Sequence, residues 1–311
     1  MRKAKQMLTT PNPFHAGELE AQARVGLTEM AQMAGSAFKP ALTERHQMFF
    51  SQLPFLVLAC ADLSGNHWVT LLDGPEGFLA TPNGKTLLSS AQLHPDDPLY
   101  AAYVAENDVG ILGIDLSKRH RVRLSGRLQH EGVGMRMNVG QTFGNCPQYI
   151  HKRQWRRVSD HQVQASTHSD SLSTDQMRFV QNADTLFMGT GQLGDRNSEA
   201  NGFDASHKGG ERGFVTVVDG THLRIPDYAG NNYFNSVGNL LRNPAIGLLF
   251  VDFRTGKLLH ITGHAKVNWT TDATDDPAAL RSIDVTITAV LERSSALAMR
   301  WDDAIPSQET R

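Results

Sequence analysis

Residues 109–126, VGILGIDLSKRHRVRLSG, and residues 246–263, IGLLFVDFRTGKLLHITG, have the same shape and align without a gap. Each reads as a β-hairpin, with a β-branched-rich apolar strand, a polar turn and a return strand of alternating character. Gly110 matches Gly247, Leu112 matches Leu249, Asp115 matches Asp252 and Gly126 matches Gly263, each pair 137 residues apart. Ile111/Leu248, Ile114/Val251 and Leu124/Ile261 keep the apolar positions. The echo continues upstream. Gly77-Phe78, Gly84 and Leu87 match Gly213-Phe214, Gly220 and Leu223 at a separation of 136, and residues 49–60 track residues 179–190 at 130. Three blocks in one order point to an internal duplication rather than to two unrelated hairpins with a glycine turn. Such a chain folds as two copies of one small β-rich domain.

The 311 residues agree with that reading, at the usual ~150 residues per domain. Hydrophobic residues at 40% and charged residues at 20% supply two ordinary cores. A net charge of −2 lacks the basic footprint of a general nucleic-acid binder. Two cysteines, Cys60 and Cys146, are too few for a disulfide framework and fit a reducing compartment. No apolar stretch follows the basic start, and no run approaches the ~18 apolar residues of a membrane span, so a cytoplasmic protein is expected. The 13 histidines show no metal-ligand spacing, and no metal site is expected. No G-x-G-x-x-G follows a strand, which weighs against a Rossmann fold.

An N-terminal arm and helix occupy residues 1–40, with an amphipathic helix over 18–33. The first barrel covers 41–158. Thr43 caps a helix, strands follow over 55–61, 68–72, 77–80 and 86–88, and a helix over 98–105 leads into the hairpin and a closing strand over 134–142. Pro147 suits a helix N-terminus, with His151, Lys152, Arg153, Arg156 and Arg157 on a solvated face. Residues 159–173 are rich in Ser, Thr, Gln and His and form the linker. The second barrel, 174–311, has helices over 174–182 and 234–242 and strands over 185–190, 202–206, 213–217, 222–225 and 285–291. The fold class is mainly β, two tandem small barrels with flanking helices. Closing each sheet is expected to remove its edges.

Two clusters in the second copy exceed what a barrel core needs. One is Ser206-His207-Lys208-Gly209-Gly210. The other is Asp227-Tyr228-Ala229-Gly230-Asn231-Asn232, followed by Asn235-Ser236 and Asn239 at a helix start. Glycines admit a ligand to the backbone, helix-start N–H groups suit a phosphate, and Lys208 adds charge. The same residue types also serve ordinary loops and caps. Arg119, Arg121 and Arg123 alternate on one face of a strand, either as a solvated row or as a phosphate contact. Cys146 has no evident histidine partner and reads as a buried or interface thiol rather than a nucleophile.

These features resemble the flavin-nucleotide-binding proteins related to pyridoxamine 5′-phosphate oxidase, which have the FMN-binding split-barrel fold. The resemblance runs from Phe14-His15-Ala16-Gly17-Glu18 to Met299-Arg300-Trp301. Its most specific pieces are Phe143-Gly144-Asn145-Cys146-Pro147-Gln148-Tyr149-Ile150 and the Gly230-Asn231-Asn232, Asn235-Ser236, Asn239 and Asn243-Pro244 run. It implies FMN in a groove between paired barrels, here built within one polypeptide or paired again into a homodimer. It implies that Lys208, Asn231, Asn232, Asn235, Ser236 and Asn239 hold the phosphate, and that residues 206–210 run beside the flavin ring. Arg300 and Trp301 resemble a C-terminal pair that reaches toward flavin, and Asn145 to Gln148 occupy the corresponding place after the first barrel. The oxidase branch has a Ser-Arg-Lys clamp where this chain reads Asn and Ser. Lys208 is then the one local cation unless Arg121 or Arg123 reaches across, which argues against pyridoxamine 5′-phosphate oxidase activity itself. The resemblance implies an oxidoreductase acting on a small substrate. A non-enzymatic flavin or electron carrier, and a scaffold that has lost flavin, stay open beside it.

Overall fold

The computed structural model describes residues 12–144, 146–159, 161–192, 200–270 and 276–303. Two antiparallel sheets dominate it. The first contains β1 (Phe55–Ala61), β2 (His67–Asp73), β3 (Leu79–Asn83), β4 (Thr86–Ser89), β5 (Asn107–Asp115), β6 (His120–Glu131) and β7 (Gly134–Gly144), in the order β2-β1-β5-β6-β7-β4-β3. Two short strands follow, β8 (Arg153–Arg157) and β9 (Ser166–Ser169). The second sheet contains β10 (Thr185–Gln192), β11 (Gly202–Gly209), β12 (Thr216–Val217), β13 (His222–Tyr228), β14 (Ala245–Asp252), β15 (Lys257–Asn268) and β16 (Ala279–Arg293). Its order, β11-β10-β14-β15-β16-β13-β12, repeats the first strand for strand, as a duplication requires. The two sequence hairpins are β5-β6 and β14-β15.

The helices are α1 (Ala16–Arg24), α2 (Thr28–Ala34), α3 (Glu44–Ser51), α4 (Tyr100–Val104), α5 (Thr174–Gln181) and α6 (Asn235–Arg242). Thr43 caps α3 as expected, its hydroxyl accepting from the His46 N–H at 3.2 Å. The helix expected over 18–33 is broken in two, because Gly26 adopts a left-handed φ of 71° at the end of α1. Among the described residues no helix is long and apolar enough to cross a membrane.

Strands of this fold are buried on both faces, which explains apolar runs such as FLVLACA in β1. Leu56, Leu58 and Cys60 point into the first barrel's core, against Ile111, Leu124 and Met137. Phe55, Val57 and Ala59 point the other way. They pack with Leu112, Ile114, Phe187, Leu249 and Val251 in an apolar layer that joins the barrels. The repeated glycines serve this layer. A Cβ on Gly110 would lie 2.5 Å from the Phe203 carbonyl oxygen of β11, and one on Gly247 would lie 2.7 Å from that of His67 in β2. Each barrel thus rests on the other's edge strand, backbone against backbone. Gly247→Val is expected to cost about 3 kcal/mol through overpacking of this contact, measured by urea unfolding, whereas the same change at exposed Gly65 acts only through its turn. A Gly247→Val chain as stable as the wild type would remove this account of the repeat.

Three expectations need correction. The sheets are not closed by hydrogen bonds: β2 and β3 end the first path, and β11 and β12 end the second, so each barrel is split. The β2 and β11 edges are covered by packing on the other barrel instead of by pairing. The stretch after Pro147 is not helical, because Tyr149 takes a left-handed φ of 66° and the basic residues continue as β8. Arg153 there is buried on Asp184 at 2.6 Å, so the basic residues do not share one solvated face. The linker also contributes structure, since β9 pairs with β16.

The last strand, β17 (Met299–Asp303), pairs with β8, with Trp301 opposite Trp155. These two tryptophans sit in matching tails of the two copies, so the duplication reaches the end of each barrel. Trp301 is buried against Phe55 and Phe253, while Trp155 is exposed.

Candidate functional site

A polar cleft opens where β6 of the first barrel meets β11, β13 and the start of α6 in the second. It encloses about 120 Å³, and an adjoining groove of about 680 Å³ shares Tyr149 and Tyr228 with it. These two rings stack at 5.2 Å between centroids. The narrow part suits a phosphate-sized group and the wide part a larger body.

The hairpin pattern places Arg121 and Arg123 on one face of β6, and that face is turned inward against the second barrel. Both are 8% exposed, so the solvated-row reading fails for them. Arg119 leaves the row, because it lies in the turn with a φ of 53°. The Arg121 guanidinium donates to the Cys146 carbonyl at 2.6 and 3.0 Å and to the His207 carbonyl at 3.3 Å. Among the described residues it has no carboxylate partner. Burial, and then Arg123 beside it, push its pKa down to about 9, so it stays protonated at neutral pH at a cost in desolvation. Burial also lowers Arg123, opposed by the nearby Asp204 and Glu18 carboxyls.

On the opposite wall, Lys208 does not wait for a ligand. Its Nζ is 2.7 Å from Asp227, across the split between β11 and β13, and Asp227 also accepts from Arg281 Nε at 2.8 Å. Burial alone would raise the Asp227 carboxyl, but Lys208 and Arg281 outweigh it and hold it below the usual range. Arg281 lies over the Phe234 ring at 4.9 Å and lines the cleft. Sequence reading missed it. The signal was there, since alternation in β16 puts Arg281 on the same face as the buried Ile283, Val285 and Ile287.

Helix α6 begins at Phe234, whose φ of 63° is left-handed, and no side chain caps it. Anions are stabilised at such an end by N–H groups and by the helix dipole. Asn231, Asn232, Asn235 and Ser236 line the cleft, as do His207, Lys208, Gly209 and Gln148. Ser206 lies behind it, 3.0 Å from the Ser236 hydroxyl, and Gly210 lines the adjoining groove. His207 Nε2 is buried with no hydrogen-bond partner among the described residues, and burial with Arg121 nearby keeps the ring neutral.

Other expected residues fall elsewhere. Asn239 is fully buried and holds structure, with His15 at 2.9 Å, Asp204 at 3.0 Å and Thr190 at 3.1 Å. Arg300 donates to the Leu297 and Met299 carbonyls, and Trp301 fills the layer between the barrels, so neither reaches the cleft. Both are held there because β17 pairs with β8. Cys146 is exposed at the cleft rim rather than buried, and its carbonyl, not its thiol, is engaged. Asn145 lies outside the described residues. Among the described residues no cluster of metal-ligating side chains occurs.

The duplication creates a second groove, and it is shut. Leu258, His260 and Leu72 stand where Arg121, Arg123 and Lys208 stand in the first, at separations of 137 and 136. There the Asp97 carboxylate accepts from the Leu99 N–H at 3.0 Å beside α4, from Thr70 Oγ1 at 2.5 Å and from Arg293 Nη1 at 2.5 Å. An internal carboxylate fills one groove. In the other, Asp227 takes Lys208 and Arg281, while the helix end has no side-chain cap and Arg121 has no carboxylate partner among the described residues.

No protein-family model matches this chain, and no curated protein does. Solved structures do. A putative pyridoxamine 5′-phosphate oxidase from Lactobacillus delbrueckii is similar at 18% identity over 39% of this chain and 94% of that one, with a TM-score of 0.31. A FAD-binding protein from Mesorhizobium loti is similar at 11% identity over 42% and 99%, with a TM-score of 0.25. A putative pyridoxamine 5′-phosphate oxidase from Corynebacterium glutamicum is similar at 11% identity over 44% and 97%, with a TM-score of 0.26. Each covers less than half of this chain, so the fold stands on the chain's own strand order and the site on its own residues.

Proposed function

We propose that this chain is a flavoprotein that binds FMN in the cleft between its two barrels and acts as an oxidoreductase on a small substrate. The observation that carries the anion site is Arg121, a buried guanidinium bonded, among the described residues, only to carbonyls, beside a second buried arginine and an uncapped helix end. A phosphate monoester supplies the missing negative charge. The flavin part rests on the sequence resemblance and on a cleft that widens beyond Tyr149 and Tyr228.

The residues present fit the group. Arg121, Arg123 and the start of α6 would hold the phosphate, with Asn235 and Ser236 adding side-chain hydrogen bonds. His207 Nε2, orphaned at the cleft, is available to a polar edge of the ring system. Bound flavin supplies hydride and single-electron chemistry that no side chain here provides. The protein's part is to bind, orient and exclude water. A second reading, a flavin carrier without turnover, is favoured by the fixed state of the ionisable groups. Asp227 is locked between Lys208 and Arg281, and His207 is neutral.

The absorption spectrum of the purified chain after FMN addition and desalting tests the reading. Retained bands near ~375 and ~450 nm are expected, the usual absorption of oxidised flavin. A chain that stays colourless at high FMN is not a flavoprotein. NAD(P)H-dependent bleaching with turnover separates the enzyme from the carrier.

A further inference from the structure

Behind the cleft lies a buried polar chain that begins in the first helix. Glu18 of α1 is 3% exposed, and both its oxygens accept N–H groups: Oε2 from the His15 backbone at 2.8 Å, and Oε1 from the Asn235 side chain. That is the pattern of an ionised carboxylate. The other end of the same amide, Asn235 Oδ1, faces Arg123 Nη1 at 3.5 Å, and Asn235 lines the cleft. Helix α1 is fixed there by backbone contact, since a Cβ on Gly238 of α6 would lie 2.6 Å from Glu18 Cα. One amide therefore joins a buried acid on α1 to a buried cation at the cleft.

We propose that α1 is a working part of this anion site, and that Glu18 takes up one proton from solvent when an anion engages Arg123. The argument is one of charge. Two buried acids, Glu18 and Asp204, flank Arg123, with Arg121 beside it, and Glu18 also faces His15, whose Nε2 is 3.7 Å from its Oε2, with Arg242 beyond. Burial raises Glu18 and Asp204 pushes it further up; the His15 N–H and the Asn235 amide oppose them and Arg123 adds the last opposition, while burial keeps His15 neutral. An anion at Arg123 spends that opposition. One O–H bond then forms on Glu18, with the proton drawn from water and no other covalent bond changed. Asn235 turns end for end, so that its Oδ1 accepts the new O–H and its Nδ2 donates to the anion. Glu18 is a positioning residue. It touches no ligand but sets which end of Asn235 the ligand meets.

This rests on the anion-binding half of the proposed function and not on flavin, so the test uses two probes on the full chain. Sulfate, which does not titrate near neutral pH, probes the anion site alone, and FMN probes the whole cleft. Titration calorimetry between pH 6 and 9, in buffers of differing ionisation enthalpy, should give uptake of about one proton and an affinity that falls about tenfold per pH unit where Glu18 is ionised in the free chain. Glu18→Gln keeps a donor in place of the O–H and should bind with near-zero uptake and a flat pH profile. Glu18→Asp retains a titrating group and should restore the slope. Sulfate binding with proton uptake but no FMN binding would support the coupling and remove flavin. Binding of either probe without proton uptake, a Glu18→Gln slope equal to wild type, or no binding of either probe, would overturn it.

Discussion

An Arg121→Leu chain is expected to bind FMN about 30- to 1000-fold more weakly, a loss of about 2–4 kcal/mol, while its stability changes by less than about 1 kcal/mol. The first effect follows from removing the buried cation that has no carboxylate partner among the described residues. The second is a balance. Deleting the charge relieves its desolvation and its repulsion with Arg123, but leaves the Cys146 and His207 carbonyls without a donor. Leucine fits the geometry, because Leu258 holds the matching place in the second groove and is fully buried there. Fluorescence titration with FMN and guanidinium unfolding of the apoprotein read the two quantities. Unchanged affinity would mean that Arg121 is structural and that the anion site lies elsewhere.

The opposite pairing is expected for Asp227→Asn. Removing the carboxylate leaves Lys208 and the buried Arg281 without it, which should cost about 3 kcal/mol at neutral pH. The same change releases two cations to the cleft, so FMN should bind roughly tenfold more tightly. The sign with pH follows from the depressed carboxyl. Its stabilisation is fully present above the unfolded value of about 3.9 and is lost as pH falls through the lower folded value, so wild type and variant should converge once the pH is below that folded value. A gap that persists in acid would show that the variant fails for a packing reason.

The period of the fold was plain in the sequence and the charge state of the site was not. Gly110 and Gly247 advertised the duplication because each must clear the other barrel's edge strand, a constraint strong enough to leave the same residue twice. The strands of β1 and β10 were legible because burial on both faces leaves an uninterrupted apolar run. Asn231, Asn232, Asn235 and Ser236 were legible as a loop and helix start with too many donors. Lys208 lines the cleft as expected of it, but its pairing is not legible, because Asp227 lies 19 residues away on a strand that β11 does not hydrogen-bond. No local pattern reports a contact across the split in a barrel. Arg121 and Arg123 were ambiguous for a related reason. Alternation says that they share a face, but whether that face meets water or another barrel is decided by the copy 137 residues on. The resemblance places the C-terminal Arg300 and Trp301 beside flavin, and the pairing of β17 with β8 holds them away from the cleft that Arg121 and Lys208 line.

The pairing of tails and the layer between the barrels have a consequence for how this molecule could change over time. In an assembly of two identical subunits, a residue placed in one groove is placed in both, so a substitution that fills one site destroys the other. Joined in one chain, the two halves are written separately. Arginine at 121 and leucine at 258 can coexist, as can the open helix start at Phe234 and the Asp97 carboxylate beside α4. One groove is free to hold charge that destabilises the fold, because the other has been converted into part of the core.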